Sequence, residues 1–115
     1  MKKEVIVSLN NVLSGASMSK LASTDKCRVL DILRSFRPEV KDWNESIKET
    51  QEKVKAEQLT EAEANAWLNE KAKEDIEVKI PGKLSKDAFE KLMESNESWS
   101  AGMFLLIEEH LVGDK

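Results

Sequence analysis

One spacing constrains this chain more than any other feature. Val29, Leu33, Phe36, Val40, Trp43, Ile47, Thr50 and Val54 stand 4, 3, 4, 3, 4, 3 and 4 residues apart, and seven of the eight are apolar. Such alternation is the seam of a coiled coil, presented along one side of a helix. Between the seam positions lie Lys41, Asp42, Glu45, Lys48, Glu49, Glu52 and Lys53, as a solvated face requires. Pro38 interrupts the pattern, since inside a helix it removes one backbone hydrogen bond and costs about 3 kcal/mol. The seam keeps its phase across Pro38. The spacing therefore predicts helices over about 24–36 and 38–56, joined either by a kink or by a tight break with Pro38 in the first turn of the second helix. Ser23-Thr24-Asp25 marks the start of the first, whose Cys27, Leu30, Leu33 and Phe36 recur at helical spacing and place Cys27 on the buried side.

Thr60-Glu61-Ala62-Glu63 reads as a capping box, in which the Thr60 hydroxyl accepts from the Glu63 amide and the Glu63 carboxylate reaches back. A helix over about 61–73 follows, with Ala64, Trp67, Leu68 and Ala72 inward. A short connection favours an antiparallel neighbour, so the pair is expected to form a coiled-coil-like hairpin with Trp43 facing Trp67 inside it.

Two segments read as strands. Residues 4–9 alternate, with Val5, Val7 and Leu9 on one face, and residues 76–80 run Ile-Glu-Val-Lys-Ile before Pro81-Gly82. A two-stranded sheet needs helices against its apolar face, and pairing these two would bring distant parts of the chain together. Asn10 or Asn11 would cap a helix over about 11–21, and helices over about 86–94 and 99–111 follow the second strand, with Ser98 as the last cap. The last helix is apolar on much of its circumference, through Met103, Phe104, Leu105, Leu106, Ile107 and Leu111, and is expected at the centre of the core. The expected fold is α+β and mainly α: a single domain over 1–115, with a helical hairpin and C-terminal helices packed on a small two-stranded sheet.

Charge and composition narrow the function. Residues 1–40 hold seven basic and four acidic side chains (+3), residues 41–77 six and eleven (−5), and residues 78–115 five and seven (−2). No concentrated basic stripe exists, which disfavours direct nucleic-acid binding. His110 is the only histidine, so two-histidine metal sites are excluded; it reads as a surface or end-of-helix residue. The lone Cys27 has no intramolecular disulfide partner, which fits a reducing compartment. Four scattered glycines leave no phosphate-binding or dinucleotide loop. Carboxylate pairs one turn apart, such as Glu45 with Glu49, fall on solvated faces where catalysis has no cleft. No apolar run reaches the roughly 20 residues needed to span a bilayer, and the opening is too short for a secretion signal. The expectation is a non-enzymatic chain with no cofactor, no metal and no membrane span, cytoplasmic or carried in a virion.

What remains is recognition. Trp43, Glu45, Glu49, Glu52 and Trp67 are the candidate partner-binding residues, because an exposed tryptophan anchors interfaces and an acidic face docks on a basic one. The expected partner is a protein, of phage or host origin. Self-association through a sheet edge or the helical seam is also open. From Ile76-Glu-Val-Lys-Ile-Pro-Gly-Lys-Leu-Ser through Phe89 and Trp99 to Leu105-Leu106-Ile107-Glu-Glu-His-Leu-Val112, the second half resembles small uncharacterised proteins of tailed bacteriophages, particularly those infecting gut Bacteroidales. Pro38 and Pro81-Gly82 depart from their pattern. The resemblance implies a phage-encoded accessory or virion-associated interaction module and brings no catalytic residues. The alternative is an acidic inhibitor of a host nucleic-acid enzyme or defence system, DNA-mimic-like or anti-CRISPR-like, whose carboxylates imitate phosphates.

Overall fold

The computed structural model describes residues 1–113. Five helices follow in order: α1 (Lys3–Ser14), α2 (Ser23–Lys55), α3 (Glu61–Ala72), α4 (Lys86–Ser95) and α5 (Ala101–Leu111). At 1.5 Å per residue a helix of 33 residues is about 50 Å long, so α2 alone sets the longest dimension of the 51 × 28 × 20 Å molecule.

The described residues contain no strand, which corrects the α+β expectation to all-α. Residues expected as a strand over 4–9 instead lie within α1, and Asn10 and Asn11 are inside that helix rather than capping another over 11–21. Their apolar pattern satisfies two periods at once. Read with period two, Val5, Val7 and Leu9 share a face; read with period 3.6, Ile6, Leu9 and Leu13 do, and it is these three that are buried. β-branched residues disfavour a helix by only a few tenths of a kcal/mol each, whereas burying an aliphatic side chain stabilises by about 1.5–3 kcal/mol. Packing on α2 decides the matter. The second expected strand, 76–80, keeps its two-residue alternation, with Ile76, Val78 and Ile80 half-buried and Glu77 and Lys79 exposed. It has no strand partner among the described residues. Single bridges stand only at its flanks, Lys2 with Asp75 and Leu84 with Val112.

The two helices expected on either side of Pro38 are one, and α2 passes through the proline without a break. Pro38 is exposed, as is Arg34, whose carbonyl loses its partner. Water can satisfy that carbonyl on the outer surface, while Phe36 inside stays fully buried. All eight seam residues are buried or half-buried. Cys27, two positions off the seam, is exposed rather than buried.

The apolar core gathers Ile6, Leu9 and Leu13 of α1, Val29, Ile32 and Phe36 of α2, Leu84, Ala88, Phe89 and Leu92 from the α4 region, and Ile107 and Leu111 of α5. The last helix is not central: Leu105 and Met103 are exposed at 62% and 39%, because only one narrow side of α5 meets the rest of the protein. Its hydroxyl cap is Ser100, accepting from the Met103 amide, two residues beyond the expected Ser98. Ser85 caps α4 in the same way. Buried Asn96 closes the loop after α1: its amide donates to the Ser17 and Leu92 carbonyls and its carbonyl accepts from the Ser17 amide, at 2.8–2.9 Å.

Candidate interaction surface

The α2–α3 hairpin holds all five residues singled out from the sequence. Its turn is built locally. Ala56 ends α2, and Glu57 takes a left-handed conformation with φ 61°. The Gln58 amide donates to the Lys53 carbonyl (2.9 Å) and the Glu57 amide to the Val54 carbonyl (3.1 Å), the reversed bonds of a Schellman ending. Thr60 then opens α3 through the full capping box: the Glu63 amide donates to the Thr60 hydroxyl at 3.1 Å, and the Thr60 amide donates to the Glu63 carboxylate at 3.3 Å.

Polar groups fill the seam of this hairpin where a core would hold aliphatics. Ser46 and Thr50 are buried, and so is Ala64 of α3, which lines one groove with Thr50. Each hydroxyl donates to the carbonyl four residues earlier, Ser46 to Asp42 and Thr50 to Ser46, so neither proton needs an acceptor on α3. At the base of the hairpin three helices meet through charge. The Lys3 ammonium, 2% exposed, donates to Glu39 at 2.9 Å and to Asp42 at 2.5 Å. The Lys71 ammonium of α3 lies 3.1 Å from the same Asp42 carboxylate and donates to the Ser46 hydroxyl at 2.6 Å. Burial pushes the Lys3 ammonium down, but hydrogen bonds and charge from Asp42 and Glu39 outweigh it, so its pKa lies above the ordinary value. The two lysine hydrogen bonds hold the Asp42 carboxyl below the usual carboxylate range. A buried ammonium with two carboxylates in reach is a paired charge, and the pairing fixes how α1 and α3 sit on α2.

Trp67 is not inside the hairpin. It is 44% exposed on the outer flank of α3, with the Lys71 ammonium 5.3 Å from its ring centroid. Trp43 lies half-buried in the seam, and the two rings do not face each other as expected; the aromatic pair among the described residues is Trp99 with Phe104, 5.9 Å apart. Glu45, Glu49 and Glu52 are all exposed. A groove of about 310 Å³ brings Glu49 and Trp67 together, with Thr50, Lys53, Leu59 and Glu63 completing it. Glu45 instead borders a second groove, of about 600 Å³, between α1 and α2, where Arg37, Lys41 and Lys48 surround it. Glu52 borders neither. Sequence reasoning missed Lys3 and Lys71 as members of the charge cluster and Leu59 as part of the groove beside Trp67. Lys3 was legible in principle, because it stands three residues before Ile6 on the buried stripe of α1. Leu59 follows from the turn geometry alone.

Among the described residues no three His, Cys, Asp or Glu side chains converge as a metal site, and no helix is long and apolar enough to cross a membrane. His110 lies half-buried in the last turn of α5. Compared with known proteins, the chain matches no family model, no curated protein and no solved structure.

Proposed function

We propose that this chain is a non-enzymatic, phage-encoded protein-interaction module that docks through the outer flank of the α2–α3 hairpin. The observation that carries the reading is Trp67: a large aromatic side chain left 44% exposed beside a groove. Burying a tryptophan is among the largest single contributions a side chain makes to an interface. Carboxylates from both helices, Glu49 and Glu63, border the groove, and Lys53 is the basic residue lining it. The partner is therefore a protein segment with an apolar anchor flanked by basic residues. The phage origin rests on the resemblance of residues 76–112, and a virion or host-cytoplasm location goes with it.

Selection of peptides from a randomised display library tests the docking surface. Enriched sequences are expected to carry an apolar residue flanked by Lys or Arg, and Trp67→Ala or Glu49→Lys should weaken them at least about tenfold, the loss typical of an interface anchor. Selected peptides that bind Trp67→Ala and Glu49→Lys as well as the native chain, with helical circular dichroism unchanged, would remove the hairpin flank from consideration.

The second reading, an acidic inhibitor of a nucleic-acid enzyme, draws on the exposure of Glu45, Glu49 and Glu52. The basic residues beside Glu45, namely Arg37, Lys41 and Lys48, weigh against it, because they dilute any imitation of phosphates. Such a complex would weaken steeply between low and physiological salt, where screening sets in within about 8 Å.

A further inference from the structure

Residues 76–80 lie against the apolar core through Ile76, Val78 and Ile80 and turn Glu77 and Lys79 to solvent. Burial alternating at every residue is the mark of an extended chain. The segment has the shape of a strand and is paired only at its first residue. The Ile76 amide donates to the Met1 carbonyl at 2.8 Å, and the Ile76 carbonyl accepts from the Met1 amine at 3.0 Å. From Glu77 to Ile80 no backbone amide or carbonyl has a hydrogen-bond partner among the described residues. Backbone groups alternate edges along an extended chain. If Ile76 directs its pair toward Met1, then Glu77 and Lys79 direct theirs to the opposite edge, where no described residue hydrogen-bonds to them.

We propose that this edge pairs with the same edge of a second copy of the chain, antiparallel about Val78. The occupant is specified by the sequence. With the twofold axis at Val78, Glu77 stands opposite Lys79 of the second copy, and Lys79 opposite its Glu77. Both oppositions fall at positions whose backbone groups point across the axis, so four backbone hydrogen bonds form and the two side-chain pairs are of opposite charge. Shifting the register by two residues breaks this match, because Glu77 then meets an apolar side chain or itself. Pro81, which has no amide hydrogen, limits the ladder at one end, and because both copies use the same edge the assembly closes at two rather than growing into a fibre. The interface is small and the association is weak and reversible. It is independent of the hairpin surface.

Sedimentation equilibrium over a concentration series tests it with charge reversals at two exposed positions. The native chain should show a monomer–dimer equilibrium. Glu77→Lys alone and Lys79→Glu alone each place like charges opposite one another twice, and each should weaken dimerisation by about tenfold or more. The double variant Glu77→Lys with Lys79→Glu should restore it, and an equimolar mixture of the two single variants should form a mixed dimer. Lys79→Pro, which deletes an amide aimed across the axis, should abolish dimerisation. A native chain that stays monomeric up to about 1 mM, well above the range where micromolar association registers, overturns the proposal. So does a dimer that ignores the reversals, or one that the double variant fails to restore.

Discussion

The two halves of α2 are parts of one uninterrupted helix, yet they are held by different physics. The half before Pro38 places Val29, Ile32 and Phe36 in the apolar core with no measurable exposure. The half after it adds only the half-buried Val40 at the edge of that core; its buried positions are Ser46 and Thr50, and the one buried residue of α3 is Ala64. The contrast teaches that a coiled-coil seam marks where a helix is covered, not how strongly. Serine, threonine and alanine let two helices lie close but bury little apolar area, and stabilisation follows area. The distal hairpin therefore depends on its turn, its cap and the Lys3–Asp42–Lys71 cluster at its base. Marginally held elements are also where binding surfaces are found, because their exposed groups have not been spent on the fold.

The largest expected effect lies on the core side. Phe36→Ala should destabilise the whole chain by about 3–5 kcal/mol, read as a lower urea midpoint for every spectroscopic probe at once. If only one region melts early, the halves are less connected than a continuous helix implies. At the boundary, Pro38→Ala should restore the hydrogen bond to the Arg34 carbonyl and stabilise by up to about 3 kcal/mol. A neutral result would mean that the proline already reaches its lowest-energy geometry through a bend.

Acid should separate the halves. Asp42 has a folded pKa below its ordinary 3.8, so its contribution is present above that value and is lost as the pH falls through the folded pKa. Lys3 is the reverse: its contribution is full below the ordinary 10.5 and is lost only as the pH rises through a still higher folded value. Between about pH 5 and pH 9 neither changes. Below pH 4 amide exchange in α3 should accelerate before exchange in α1, and Asp42→Asn should shift this acid sensitivity while leaving the neutral-pH core intact. Asp42 is half exposed, so solvent screening keeps the effect to about 1 kcal/mol or less.

Two smaller changes act on the turn in opposite directions. Thr60→Ala removes the hydroxyl that accepts from the Glu63 amide, leaving the backbone half of the capping box, and should cost about 1 kcal/mol, seen as faster exchange at the start of α3. Glu57→Gly relieves a side chain held at φ 61° and should stabilise by up to about 1 kcal/mol. If either moved the midpoint of the core as strongly as Phe36→Ala does, the division of α2 into two regimes would fail.

Much of this molecule was legible before any coordinates. The seam of α2, the capping box of α3, the polar outer face carrying Glu45, Glu49 and Glu52, and the strand-like alternation of 76–80 are local patterns, and local patterns are written in neighbouring residues. The tertiary structure decided what such patterns leave open. Whether residues 4–9 coil or extend depended on the apolar surface of α2 waiting to be covered, since Ile6, Leu9 and Leu13 bury fully only as a helical stripe. Whether Pro38 broke the helix depended on which side of the chain met solvent. Trp67 was placed inward by its spacing from Ala64, but the turn at Glu57 and the contacts of Lys71 with Asp42 and Ser46 set the rotation of α3 and left it outside. Helix rotation and strand pairing are made by contacts between residues far apart in the chain, and no run of adjacent residues contains them.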